Sequence, residues 1–428
     1  MNRQLLTIAG ILLAMPAAQA FYKDVEVGAI ARNRDRARDL GTPIVLMAHQ
    51  TVHALSGNGP RTIEEHWIWF VADPDDDAAR VVASPSIILN QEFEALDIRQ
   101  CRIFRGADTL RIEEDAWSSV VPAGWPPEGS EPWRAVTASL PPLEAGDVVD
   151  VAYQIQNFWS RTLFPSNWVL APLTVPEAPT IERHVMITYP SALKAWAKVV
   201  DHEARLRRHH GASQPMIELL TGNLPAGPSN AGGLDAPRLL FTSNPDWGDM
   251  RGALDFHLRS ALIRGERLLA DLGDSLAAAH GTSRQRLSAL LEQLDRYARI
   301  PRHLTASTYY PRPASFLKQA KTADRQERAY LAAALAAAAH MRCQVFLARE
   351  SSDHFHPGIA LPMQFDRVVL RVLLAEEDRY LVIDPWMSDL ESAAEAVPEG
   401  MLLCSLNPDD DPGLYRLGEL GSIEAIDF

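Results

Sequence analysis

The stretch Asp324–Leu335, DRQERAYLAAAL, decides how the second half of this chain is read. Asp324 has the short acceptor side chain of a helix N-cap, and Glu327 stands three residues on, in the position that completes a capping box. Tyr330, Leu331 and the alanines then continue without a breaker, so a helix is expected from about Arg325 to His340. Arg325 is out of place at the start of such a helix. The positive end of the helix dipole disfavours a cation there, so helix stability does not account for it.

Short strands are expected after this helix, at Gln344–Leu347, Val368–Leu374 and Tyr380–Ile383. An earlier helix is written by Leu287, Leu290, Leu291 and Leu294 at helical spacing, behind Thr282 and Gln285 in capping-box positions. Before Trp247 the period is that of strands. Val149, Val151, Tyr153 and Ile155 alternate with Asp150, Ala152, Gln154 and Gln156. Ile63–Val71 is β-branched and aromatic, with Trp67 and Trp69 on one face, and Ile98–Leu110 reads as a hairpin turning at Gly106. His184–Tyr189 is a further strand. Trp67, Trp69, Trp125 and Trp133 are read as cover for the core rather than as a contact surface.

The expected fold class is therefore α+β. An N-terminal antiparallel β-sandwich spans residues 21–240, and a helix-plus-antiparallel-sheet domain spans 241–400. Residues 401–428 are expected as a C-terminal tail. The acidic runs Asp73–Asp77 and Asp409–Asp411 sit beside prolines and read as solvated turns.

The first twenty residues have three parts: Arg3, the apolar run Leu5–Met15, and Ala18-Gln19-Ala20 as a cleavage site. That is the pattern of a secretory signal peptide, cut after Ala20. The chain carries 41 basic and 55 acidic residues, a formal charge of −14, which excludes non-specific nucleic-acid binding. The basic residues are nearly all arginine, which fits a GC-rich bacterial genome. Periplasmic export of a protein without a membrane span is the expectation. Three cysteines, Cys101, Cys343 and Cys404, leave at least one unpaired; Cys343 with Cys404 is the expected pair if one forms.

The chain resembles the bacterial proteins in which an exported β-rich domain of unknown function precedes a transglutaminase-like domain. The resemblance rests on Arg102–Leu110, on LPPLEAGDVVDVAYQIQ (Leu140–Gln156) and on Tyr189-Pro190. In the second half it rests on YYPRPASFL (Tyr309–Leu317), DRQERAYLAAAL, FDRVVLRV (Phe365–Val372) and YLVIDPW (Tyr380–Trp386). It implies a papain-like core in which a Cys at a helix start is the nucleophile, a strand His its base and a strand Asp the orienting group.

At the positions that match, this chain departs from the pattern. Arg325 stands at the nucleophile and Arg367 at the base; only Asp384 is kept. A guanidinium stays protonated and serves as neither nucleophile nor base. The resemblance then implies a degenerate site, a pseudo-transglutaminase in which Arg367 forms an ion pair with Asp384. Alternatively, Arg325 and Arg367 together hold a carboxylate or phosphate, which makes the protein a small-anion sensor. A further alternative is a thiol- or metal-dependent hydrolase of the transglutaminase type using other residues. Cys343 near His340, or Asp353, His354 and His356, are the groups to watch. Pro357-Gly358 marks the latter as an ordinary loop. No metal and no cofactor are expected. A protein or peptide in the periplasm is the expected partner.

Overall fold

The computed structural model describes residues 30–426, apart from 31, 57–60, 92–93, 123–132, 158–166, 177, 211–213, 228–235, 299–316, 318–322, 351–353, 408–409 and 412. The expected signal peptide, Trp125, Asp353, Asp409 and all but Leu317 of Tyr309–Leu317 lie outside the described residues. The fold class is α+β.

The first half is built of β1 (Ile44–Ala54), β2 (Arg61–Val71), β3 (Ser86–Asn90), β4 (Glu94–Arg105), β5 (Asp108–Arg111), β6 (Trp117–Val120) and β7 (Trp133–Ala138). It continues with β8 (Val148–Asn157), β9 (Trp168–Pro172), β10 (Thr180–Thr188), β11 (Trp196–Val200), β12 (Leu206–His209), β13 (Met216–Leu224) and β14 (Arg238–Thr242). Eight strands form one sheet in the order β12-β13-β10-β1-β2-β8-β4-β5; β11-β14-β9 and β3-β7-β6 form two smaller sheets. The expected hairpin is β4–β5, turning at Gly106 with φ +61°, a left-handed conformation that glycine adopts without strain.

The large sheet is not purely antiparallel. β1 runs parallel to β10, with Leu46 opposite Thr180 and His53 opposite Ile187. Nor does the polar side of β8 face water. Val149 and Val151 enter one apolar cluster with Trp69 and Ile103, as their alternation implies. Val148 enters another on the opposite face with Ile68, Phe70 and Ala37, which lies in a helical segment preceding β1. Asp150 is thereby fully buried. Its oxygens are met by His66 (Nε2 to Oδ1, 2.8 Å) and by Arg102, whose Nε donates to Oδ2 at 2.8 Å.

After β14 the architecture changes within a few residues. Asp246 caps α1 (Trp247–Ala279), accepting from the Asp249 amide at 2.8 Å. α2 (Ser283–Tyr297) has the Thr282–Gln285 capping box and buries Leu287, Leu290, Leu291 and Leu294. α3 (Arg325–Ala338) is the central helix. Every residue from Gln326 to Ala336 is buried. α1 crosses α3 at Gly273, where a Cβ would stand 2.4 Å from the carbonyl carbon of Ala338. Glycine is required there by close approach alone.

Under α3 lies an antiparallel sheet made of β15 (Cys343–Arg349), β16 (Arg367–Leu374), β17 (Arg379–Ile383), β18 (Leu402–Ser405), β19 (Leu414–Leu417) and β20 (Ile423–Ala425), with α4 (Leu390–Glu395) between β17 and β18. The order is β17-β16-β15-β18-β19-β20. Val345, Leu347, Val368, Leu370 and Val372 meet the helices. Phe346, Ala348, Val369, Leu403 and Tyr415 form a second cluster on the other face.

Residues 402–425, expected as a tail, are thus three strands of this sheet, and β18 pairs directly with β15. Asp410 is likewise no solvated turn: it accepts from Gln344 Nε2 at 2.9 Å and Asn407 Nδ2 at 3.0 Å, closing the loop over β15. The Cys343–Cys404 pair does not form; all three cysteines are free. The register sets Cys404 opposite Leu347, four residues from Cys343. At the rise of a strand that is about 13 Å, far beyond disulfide reach.

Candidate functional site

The N-terminus of α3 is held by two reciprocal bonds. The Glu327 amide donates to Asp324 Oδ1 at 2.8 Å, and the Asp324 amide donates to Glu327 Oε2 at 3.0 Å. Arg325 follows as the first helical residue. Its guanidinium carbon sits 4.8 Å from the ring centroid of Trp386, a cation–π contact. Its Nε is buried without a hydrogen-bond partner.

Trp386 is placed by Asp384. Asp384 Oδ1 accepts from the Trp386 amide at 2.9 Å, while the Asp384 amide donates to the Ala393 carbonyl at 2.8 Å. Asp384 is 2 % exposed, and its Oδ2 is buried without a partner. Arg325 and Asp384, two of the three residues singled out in the sequence, are thus brought together through one tryptophan.

Arg367 is not part of this group. Successive strand residues face opposite ways. Val368 and Leu370 face the helices and Val369 faces the far cluster, so Arg367 takes the far face. Its guanidinium donates to the Ala396 carbonyl (3.0 Å), Asp366 Oδ1 (3.1 Å) and Glu350 Oε2 (3.4 Å). The expected Arg367–Asp384 ion pair is therefore replaced by bonds to nearer acceptors. Each guanidinium nitrogen of Arg367 already has a partner, and the group lies on the far face of the sheet from α3, so it does not converge with Arg325 on a shared anion.

The residue that sequence reasoning missed is Arg328, 1 % exposed. Its Nε donates to the Pro385 carbonyl. Nη1 donates to the Ala298 carbonyl at 3.0 Å, and Nη2 reaches Asp295 and the Met387 carbonyl. It fastens α3 to the Asp384–Met387 turn and to the end of α2. A buried arginine carries no periodic signal, since arginine is ordinarily exposed.

None of the thiols is at the α3 N-terminus. Cys343 lies against the middle of the helix, its Sγ 3.7 Å from the Ala333 carbonyl. Burial pushes its pKa up to about 11, and it pushes Cys101 and Cys404 up to about 12. The thiolate, the reactive form, is disfavoured at all three. Two of the nearby histidines are engaged elsewhere, and the ring of the third, His356, has a buried Nδ1 with no hydrogen-bond partner. His340 meets Asp274 at 3.5 Å, on the exposed surface. His354 Nδ1 lies 2.9 Å from Asp201, which also accepts from the buried Arg238 at 3.0 Å. The His356 amide donates to Gln364 at 2.9 Å, and burial lowers the pKa of its ring. Among the described residues no three His, Cys, Asp or Glu side chains converge to hold a metal ion.

The fold is similar to that of a solved structure. A protein from Parabacteroides distasonis, provisionally described as a protease, superposes with a TM-score of 0.72 over 90% of this chain and 72% of its own, at 13% identity. The two share a fold. At that identity the likeness says nothing of chemistry. An M1 zinc metallopeptidase from Deinococcus radiodurans overlaps 47% of this chain and 42% of its own at 11% identity, but its TM-score of 0.27 is too low to carry an argument. No protein-family model and no curated protein matches the sequence.

Proposed function

We propose that this chain is a periplasmic pseudo-transglutaminase: an exported β-sandwich followed by a transglutaminase-like domain that has kept its frame and lost its chemistry, and that acts as a binding or scaffold protein. The observation that carries this reading is Arg325. A permanently protonated guanidinium, stacked on Trp386, occupies the helix start where thiol chemistry needs a thiolate. Asp384 stays at its strand end with no imidazole to orient and turns one oxygen to the Trp386 amide instead.

The small-anion alternative loses its second arginine, because Arg367 is bound on the far face. The thiol alternative has Cys343, whose raised pKa and distance from the helix start both oppose it.

A hydrolase and transamidase screen of the purified mature protein tests the proposal. It includes iodoacetamide-treated protein, Cys343→Ala, and the refilled variant Arg325→Cys/Arg367→His. Wild type is expected to be inert and indifferent to alkylation. Activity in wild type that Cys343→Ala or alkylation abolishes would overturn the reading in favour of the thiol enzyme.

A further inference from the structure

In the first half of the chain, β4 is only partly paired. β8 lines one side of it from Glu94 to Phe104. On the other side, β5 pairs with Arg102–Arg105 alone. Among the described residues, Glu94–Arg99 is therefore a free sheet edge, offering backbone donors and acceptors in a row. A cavity of about 640 Å³ opens beside this edge, and five consecutive edge residues, Glu94 to Ile98, line it. Its floor is apolar: Leu96 and Ile98 from the edge, with Leu89, Trp117 and Val136 from the β3-β7-β6 sheet. The Trp117 indole nitrogen is buried and has no hydrogen-bond partner.

Charge narrows what fits. Glu94, Asp97 and Glu114 all line the cavity. Asp97 shares its charge with Arg99 at 3.1 Å. Glu94 accepts from the Asn90 amide at 2.8 Å and is partly desolvated; the nearby Arg61 charge offsets only part of that, so an added cation is still favourable there. An edge of this kind repels a second copy of a chain whose formal charge is −14, and it attracts a basic strand.

We propose that the free edge of β4 and the cavity beside it take an extended, basic peptide segment of a partner protein as an added strand. The peptide's main chain pairs with Glu94–Arg99. Alternate side chains enter the apolar floor, and its cationic groups meet Glu94, Glu114 and the face of Trp117. This names the partner class for the binding reading above, but it lies in the other half of the chain from Arg325. Activity in the screen leaves it standing, and failure of peptide binding leaves the degenerate cleft standing.

The probes are three blocked heptapeptides: alternating Lys and Val, alternating Glu and Val, and the Lys–Val peptide N-methylated at every second residue. Calorimetry on the full mature chain is expected to show binding of the first only, weakening with salt. Glu94→Gln/Glu114→Gln, checked for an unchanged fold by circular dichroism, is expected to weaken it about tenfold or more. Hydrogen exchange is expected to slow at the Ala95–Arg99 amides on binding. Equal binding of the acidic or N-methylated peptide overturns the proposal, as does protection elsewhere, no effect of the double substitution, or no binding at millimolar peptide.

Discussion

Replacing Arg328 by methionine keeps most of the side-chain volume and removes a fully buried guanidinium. In the native protein that group satisfies the carbonyls of Pro385, Ala298 and Met387 and reaches Asp295. Asp295 is 39% exposed and recovers water, so it adds little to the loss. The carbonyls of Pro385 and Ala298, both buried residues, lose their donor, at about 1–3 kcal/mol for each buried group left unmade. Two such groups cost about 2–6 kcal/mol together, and losses in one network are not strictly additive. We therefore expect a loss of about 4 kcal/mol in the helix-and-sheet half. For a unit of this size each kcal/mol moves Tm by roughly 2–4 °C, so its transition should fall by about 12 °C. Scanning calorimetry of wild type, Arg328→Met and Arg328→Lys measures this. Lysine reaches one or two of the acceptors and should fall between. A drop of less than about 3 °C for Arg328→Met would refute the assignment of Arg328 as the clamp of α3.

Three further outcomes are expected. Burial and the nearby Arg183 charge lower the pKa of His49 to about 4, and Glu65, bonded at 2.7 Å, only partly offsets them. The unfolded chain takes up that proton first as pH falls below about 6.5, so stability is full above that pH and declines down to about pH 4, by roughly 3 kcal/mol. Thermal melts from pH 7.5 to 4.5 should show this, and His49→Gln should flatten the curve; an equal slope in the variant would exclude His49 as its source. Gly273→Ala should destabilise by about 1–3 kcal/mol in urea unfolding, although alanine favours helices, because its Cβ meets Ala338; a gain in stability would contradict the close crossing. Ellman's reagent should label none of the three thiols within minutes in native protein and all three in denaturant, since they are free and their pKa values are raised; rapid native labelling of the half-buried Cys343 would contradict its raised pKa.

The local signals in the sequence translated directly. The Thr282–Gln285 and Asp324–Glu327 boxes cap α2 and α3, the alternation in Val148–Gln156 is β8, and Gly106 turns the β4–β5 hairpin. What did not translate was direction. In Arg367–Leu374, Val368, Val369 and Leu370 are all buried, because both faces of the sheet are covered. A continuous apolar run hides which parity faces the helices, and so it hid where Arg367 points. Leu402–Ser405 is buried at every position for the same reason and so could not be told from a tail. Arg328 was visible only as a letter in a matched string; its four acceptors come from two distant segments, Asp295–Ala298 and Pro385–Met387.

The parallel pairing of β1 with β10 sets an order of events for the newly made chain. β1 and β2 form their hairpin locally, but the other side of β1 has no partner until a strand more than a hundred residues later has been synthesised. Closing so long a loop is slow relative to hairpin formation. Until then β1, whose Ile44–Met47 segment is buried at every position in the finished protein, stands as an open and strongly apolar edge. The window between the emergence of Ala54 and that of Thr188 is thus when this protein most needs a chaperone, and truncations that end before β10 should aggregate where those ending after β14 do not.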